Sequence, residues 1–166
     1  MERNLPNELI PILETVQSRF FSNDTPLDFW EIDHGPSILN GFMDLAAHLR
    51  LAILDGHSPE KWPVGYMMLM VLFNWEADAQ ADGWSQYFES SDAEIDGVCM
   101  LFNHVGLPDE AESVRRAYEA ADCESDTDVV ADAYGAQAHE YSVDLDRLEY
   151  LTQWFCDGAD ELLYRS

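Results

Sequence analysis

The sequence predicts an all-α fold, in which about seven or eight helices form a single domain over residues 1–166. Apolar residues recur at helical spacing along most of the chain, and Gly and Pro signals separate these stretches. No stretch shows the two-residue alternation that is typical of a half-buried strand. Apolar residues make up 47% of the chain and aromatic residues 12%, which indicates a buried core rather than a disordered protein.

The first half of the chain contains four predicted helices. Asn7 is expected to cap the first, and Pro36 suits the first position of the second. Phe29, Trp30 and Ile32 are expected to pack inward from the loop between these two helices. The predicted spans are Asn7 to about Phe21, Ser37–Leu54, Val64 to about Asp82, and Trp84–Ser90, with Gly83 as the break before the last.

The second half contains four more predicted helices. Ser91 or Asp92 can cap the first of them, and Gly106 with Pro108 is a typical stop signal at its end. The connector at residues 123–128 is acidic. The predicted spans are Ala93–Val105, Pro108 to about Ala121, a weak helix near Val129–Glu140, and Val143 to about Tyr164.

The chain is strongly acidic. It has 33 Asp and Glu residues against 8 Lys and Arg, which gives a formal charge of −25. The stretch Trp62–Val114 contains ten acids and neither Lys nor Arg, whereas residues 1–61 contain ten acids and four bases. A nucleic-acid-binding protein needs a basic surface, so direct nucleic-acid binding is excluded and binding to anionic membranes is disfavoured. A basic protein partner is favoured.

The most acidic part of the predicted fold is Asn74–Asp96, where seven carboxylates alternate with large apolar side chains. Acids four residues apart on a helix, such as Asp78 and Asp82, lie about 6 Å apart along its axis. Such rows resemble a DNA strand, which presents a phosphate about every 3.4 Å. The candidate partner-binding residues are Glu76, Asp78, Asp82, Glu89, Asp92, Glu94, Asp96, Asp109, Glu110, Glu112, Glu119, Asp122, Glu124, Asp126 and Asp128.

The sequence gives little support for a metal site or a catalytic site, and we expect neither enzymatic activity nor a cofactor. Read as a calcium-binding loop, the stretch from Asp122 has Thr127 where Gly is needed and Ala133 where Glu is needed. The histidines lack zinc-protease spacing, and no phosphate loop or nucleophile elbow is present. The three cysteines lack CxxC spacing and no secretory signal is recognisable, so reduced thiols and a cytoplasmic location are expected.

Two segments carry a resemblance to a known family. The segments are Asp82-Gly83-Trp84-Ser85-Gln86-Tyr87-Phe88 and Ser113-Val114-Arg115-Arg116-Ala117-Tyr118. They resemble a bacterial family of small acidic α-helical proteins that includes a DNA mimic, and the family-like core covers about residues 64–122. The resemblance implies an all-α fold, a homodimer, and occupation of the DNA-binding face of a helix-turn-helix repressor.

The leading hypothesis is a DNA mimic that binds a basic DNA-binding protein, a transcriptional repressor in particular, and blocks its operator binding. In this interpretation Trp84, Tyr87 and Phe88 are packing residues and the carboxylates around them form the binding surface. Two alternatives remain open. One is an immunity-type inhibitor of a basic nuclease toxin. The other is an acidic protein of a salt-adapted organism with no mimic role.

Overall fold

The computed structural model describes residues 4–33 and 35–165, and within them the all-α prediction is confirmed. The only pairing of strand type there is an isolated antiparallel bridge between Asn4 and Arg165. In this described part, four short 3₁₀ turns accompany the α-helices. The α-helices are α1 (Ile10–Phe20), α2 (Pro36–Leu54), α3 (Val64–Asp82), α4 (Gln86–Glu89), α5 (Asp92–His104), α6 (Pro108–Cys123), α7 (Thr127–Tyr134), α8 (Leu145–Asp157) and α9 (Ala159–Leu162).

The chain forms two compact units. The first unit comprises Met1–Asn74 together with Leu145–Ser166, and the second, which we call the acidic unit, comprises Trp75–Asp144. The boundary falls within α3, at the point where the apolar part of that helix gives way to the acidic part. The single domain over residues 1–166 stays a prediction.

The first unit is built around a cluster of aromatic rings. The Phe42 ring lies 5.6 Å from Phe29, 5.7 Å from Phe73 and 6.1 Å from Phe155, measured between centroids. All four rings are fully buried. Phe29 reaches this core from the loop between α1 and α2, as expected, and the adjacent Trp30 is buried with it. Ring pairs at these distances contribute beyond the area they bury.

The second helix, α2, is apolar as well as long. In the described part of the chain it is the one helix that has the length and composition to cross a membrane, with a mean hydropathy of 1.2. Core helices of soluble proteins share that property. Its buried residues, which include Phe42, Leu45 and Leu49, belong to the core of the first unit.

Local signals set the bounds of the helices in the acidic unit. The Ser91 side chain accepts a hydrogen bond from the backbone N–H of Glu94, so Ser91 is the N-cap of α5, as one of the two predicted alternatives states. Gly83 adopts a positive φ of 58° and separates α3 from α4, which confirms the predicted break. Helix α6 packs against both α5 and α7.

Three predicted helix boundaries are wrong. Asn7 lies within a 3₁₀ turn and does not cap α1 through its side chain. The weak helix predicted near Val129–Glu140 is α7, which spans Thr127–Tyr134 and is capped by Gly135, where φ is 94° and the backbone is left-handed. The long C-terminal helix is interrupted at Gly158 and forms α8 and α9 instead.

Candidate functional site

All fifteen candidate carboxylates lie in the acidic unit. This unit holds 18 of the 33 acids and only two bases, Arg115 and Arg116, so its formal charge is −16. The first unit holds the other 15 acids with six bases, a formal charge of −9, although it is the larger of the two. The excess negative charge is therefore concentrated in one part of the chain.

Most of the candidate carboxylates face solvent. Two of them, Asp78 and Glu110, are half-buried. The exposed residues are Asp82, Glu89, Asp92, Glu94, Asp96, Asp109, Glu112, Glu119, Asp122, Glu124, Asp126 and Asp128.

Glu76 does not belong to this surface, and its prediction as a partner-binding residue is wrong. Its side chain is 0% exposed. Residues 72–76 of α3 are buried without interruption, so the helix is enclosed on every side over this turn. A carboxylate placed there cannot contact a partner, whatever its charge. The spacing of charges in the sequence does not show that Glu76 is buried. The two residues before it, Asn74 and Trp75, are polar or amphipathic and so do not indicate a buried turn.

Internal hydrogen bonds and ion pairs hold several of the exposed acids in place. Arg115 contacts Asp96 at 2.6 Å and Arg116 contacts Glu112 at 2.8 Å, so both arginines of the acidic unit are engaged. The Tyr118 hydroxyl donates to Asp92 at 2.8 Å, which raises the pKa of Tyr118. These exposed pairs add little stability.

Two further contacts fix acids near α7. The Tyr134 hydroxyl donates to Glu110. The exposed His139 ring lies 2.9 Å from Asp132 and 3.3 Å from Asp128. The hydrogen bond to Asp132 and the negative charge of Asp128 raise the pKa of His139. His139 is thus a further side chain of the acidic unit that can carry positive charge against these acids.

The rows of acids predicted along the helices take a different form. On α5, the row Asp92 and Asp96 is bonded to α6 through Tyr118 and Arg115, so part of its charge is internally compensated. The acids instead converge elsewhere, around a cleft formed by α3, α4 and α5. Asp78 and Asp82 line it from α3, Glu89 from α4 and Glu94 from α5.

The cleft has a volume of about 180 Å³ and also contains two buried side chains, Trp75 and Gln86. Gln86 is 7% exposed, and its Oε1 atom is buried without a hydrogen-bond partner. A buried acceptor that makes no hydrogen bond is uncommon and costs free energy. Gln86 is not among the predicted site residues; its signal in the sequence is a polar amide among aromatic residues.

Aromatic packing positions this cleft. Trp75 and Tyr87 form an edge-to-face pair with centroids 5.5 Å apart, and Trp84 stacks on Tyr87 at 6.4 Å. The Trp84 indole N–H donates to the backbone carbonyl of His139 at 2.9 Å. The predicted packing roles of Trp84 and Tyr87 are confirmed, since both are buried. Phe88 is 37% exposed, because successive residues of the four-residue α4 face different sides.

The cysteine of α5 has no features of a nucleophile. Cys99 is buried and its thiol donates to the carbonyl of Ala111 at 3.3 Å. Burial raises the pKa of the Cys99 thiol, whereas a reactive cysteine needs a lowered one.

Comparison with protein-family models, with curated proteins and with solved structures finds no match for this chain. The resemblance to the family that includes a DNA mimic therefore stays a prediction, and the site has to be interpreted from its own geometry.

Proposed function

We propose that this protein is a DNA mimic. It binds a basic DNA-binding protein, a helix-turn-helix transcriptional repressor in the first instance, and blocks its binding to DNA. The observation that carries the proposal is the concentration of charge: −16 on the 70 residues of the acidic unit, with twelve of the fifteen candidate carboxylates exposed. Both arginines of that unit are engaged with acids of the unit itself.

The arrangement suits a partner that normally contacts phosphates. Lys and Arg side chains of a DNA-binding surface pair with negative charges held at fixed positions, and helices hold carboxylates more rigidly than a disordered acidic tail does. Pairing with such a surface also accelerates association through electrostatic steering. The mimic does not have to imitate the nucleobases, because a DNA-binding protein is positioned by its phosphate contacts, which do not specify sequence.

Salt adaptation explains the uneven charge less well. A protein that is acidic only to remain soluble at high salt has no need to place most of its excess charge on one unit. The first unit, with 15 acids and six bases, is closer to an ordinary surface. Unfolding in low and in molar salt separates the two explanations: a mimic stays folded in low salt, whereas an obligate halophilic protein unfolds there.

The proposal is tested by capture from the native cytosol with mass spectrometry, with and without excess duplex DNA. We expect a basic DNA-binding protein that the DNA displaces and whose affinity falls steeply with salt. A captured nuclease in place of a regulator would identify the protein as an immunity-type inhibitor. A partner that resists both DNA and salt would refute mimicry.

A matched pair of variants locates the binding surface. The first neutralises Asp109, Glu119, Asp122 and Glu124 of the acidic unit, as Asn or Gln; the second neutralises Glu14, Asp24, Asp55 and Glu60 of the first unit. All eight side chains are exposed. We expect the first variant to weaken partner binding by about 100-fold or more and the second by less than about threefold, since each interfacial charge pair contributes separately. Equal losses of affinity in the two variants would mean that net charge alone, and not a particular surface, determines partner binding.

A further inference from the structure

The segment that follows α7 lies across Trp84. The structure describes all of residues 135–144, which form neither helix nor strand, and we call this segment the strap. The backbone carbonyl of His139 accepts the Trp84 indole N–H at 2.9 Å, and the Tyr141 ring meets the Trp84 ring edge-on at 5.1 Å between centroids. Tyr141 also lies against Gly83, where an added Cβ would be 3.3 Å from Tyr141 Cβ. The strap therefore helps to cover Trp84, which is 7% exposed.

The side chain of His139 joins the strap to α7. Its Nε2 atom lies 2.9 Å from Asp132 Oδ1 and its Nδ1 atom lies 3.3 Å from Asp128 Oδ2, so each ring nitrogen faces a carboxylate oxygen. The same residue holds Trp84 through its backbone carbonyl. A change in the contacts of the ring therefore acts on a residue that is bonded directly to Trp84.

The geometry around the His139 ring is that of a protonated imidazole. An imidazolium has an N–H group on both nitrogens and can donate to both carboxylates. A neutral imidazole has one N–H group, so its second nitrogen would direct a lone pair at a carboxylate oxygen. Histidine ordinarily changes its charge between about pH 5 and 8. The contacts on both sides of the ring therefore depend on pH in the neutral range.

The charged groups near His139 are mostly acidic. The acids closest to it in space or in sequence are Asp126, Asp128, Asp132 and Glu140. From α6, Arg116 donates to two backbone carbonyls at the end of α7. The turn Gly83–Ser85, which carries Trp84, contains no ionisable side chain. Carboxylates and guanidinium groups ordinarily titrate far from neutral pH, so the charge that changes beside the strap is that of His139.

We propose that the strap is a pH-sensitive latch, which protonated His139 holds over Trp84 and which loosens when the ring becomes neutral. The pKa of His139 is raised by the hydrogen bond to Asp132 and by the charge of Asp128, so the latch is closed below that raised value and loosens as the pH rises through it. The ring is exposed, so the population of the open strap changes by a small factor. This inference does not depend on the proposed function.

Hydrogen exchange of the Trp84 indole N–H, followed by NMR on the intact protein, tests the latch. Rates are measured from about pH 5.5 to about pH 8 and divided into the rate of N-acetyl-tryptophan amide at the same pH, which removes the intrinsic pH dependence of exchange. We expect this protection factor to fall by about threefold as the pH rises. Its midpoint should coincide with the titration of the His139 ring. The Trp30 indole, which donates to Tyr164 in the first unit, is the internal control and should keep its protection.

Three variants assign the effect to His139. H139Q keeps a polar side chain that cannot take up a proton, and should make the protection of Trp84 independent of pH. D128N/D132N removes both charges that face the ring, and should also flatten the response. The control H104Q removes the other histidine of the acidic unit and should leave the fall in protection unchanged.

Three results would overturn the proposal. The first is a Trp84 protection factor that is the same at both ends of the pH range. The second is a fall in protection that persists in H139Q, since another group would then control the strap. The third is a midpoint for Trp84 that differs from that of the His139 ring, because the two would then not be coupled.

Discussion

The first unit and the acidic unit differ in interior and in surface. The first unit encloses the aromatic rings around Phe42 and carries a formal charge of −9. The acidic unit is smaller, carries −16, and packs Trp75, Trp84 and Tyr87 beside a cleft lined by carboxylates. We infer that close packing dominates the stability of the first unit, while repulsion between carboxylates opposes the stability of the other.

Two helical glycines provide the largest expected contrast in packing. A Cβ atom on Gly65 would lie 2.5 Å from the backbone carbonyl oxygen of Leu162, which cannot move aside without shifting α9. Gly65→Ala should therefore destabilise the protein by about 2–3 kcal/mol. Gly97 in α5 is the matched control, because a Cβ there meets no atom within 4 Å.

Gly97→Ala should stabilise the protein by up to about 1 kcal/mol through helix propensity. Urea denaturation followed by circular dichroism measures both variants. If both alanines proved stabilising, the tight packing of Gly65 against Leu162 would not describe the protein in solution.

Two tyrosines that pack on Trp30 test the buried polar groups of the first unit. The Tyr164 hydroxyl donates to Asp28 at 2.8 Å and accepts from the Trp30 indole N–H at 3.2 Å. The Tyr66 hydroxyl is fully buried and has no hydrogen-bond partner. Burial raises the pKa of both tyrosines, so both stay protonated.

Tyr164→Phe should cost about 1–3 kcal/mol, because Trp30 loses its acceptor. Tyr66→Phe should leave the free energy of unfolding unchanged or raise it by up to about 1 kcal/mol, because it removes an unsatisfied hydroxyl. The difference between the two, measured by chemical denaturation, is the test. Equal costs would mean that Tyr66 has a partner in solution.

Charge neutralisation tests the acidic unit directly. E119Q/E124Q should raise the free energy of unfolding by a few tenths of a kcal/mol at low salt, since Glu119 lies one turn from Asp122 on α6. The gain should vanish at molar salt, where the screening length falls to about 3 Å. E14Q/E60Q in the less charged first unit should change stability less. If E14Q/E60Q raised the free energy of unfolding more than E119Q/E124Q, charge repulsion would be stronger in the first unit than in the acidic unit.

The smallest expected effect concerns His139. Its pKa is raised in the folded state by Asp132 and Asp128, so the protonated ring favours folding. That contribution is fully present below the unfolded pKa of about 6.5 and is lost as pH rises through the raised folded value. NMR titration of His139 should show a lower pKa in Asp132→Asn and little change in Glu140→Gln. An unchanged pKa in Asp132→Asn would exclude the contact.

Local signals explain which parts of the fold were predictable. The bounds of α2 and α3 follow from Pro36, the Asp55-Gly56 stop and Gly83, where the chemistry of one or two residues decides the backbone. The interruption at Gly158 was missed because the apolar spacing continues through it. A Cβ there would lie 2.8 Å from Leu162 Cδ1, the end of a side chain that can move aside, so packing alone does not explain the glycine.

The candidate site was predictable only in part. The location of the excess charge within residues 75–128 could be read from composition, and every candidate carboxylate lies in the acidic unit. The burial of Glu76 and the convergence of acids on Gln86 depend on which faces of three helices meet, and spacing along one helix carries no such information.

The cleft also has a kinetic consequence. All the residues that line it fall between Trp75 and Glu94, so its contacts are local in sequence. Contacts between near neighbours close short loops and form quickly, whereas contacts between distant parts of a chain form slowly. The lining can therefore close quickly, whereas the hydrogen bond from Trp84 to the His139 carbonyl, which helps to position the cleft, joins residues 55 apart and forms later.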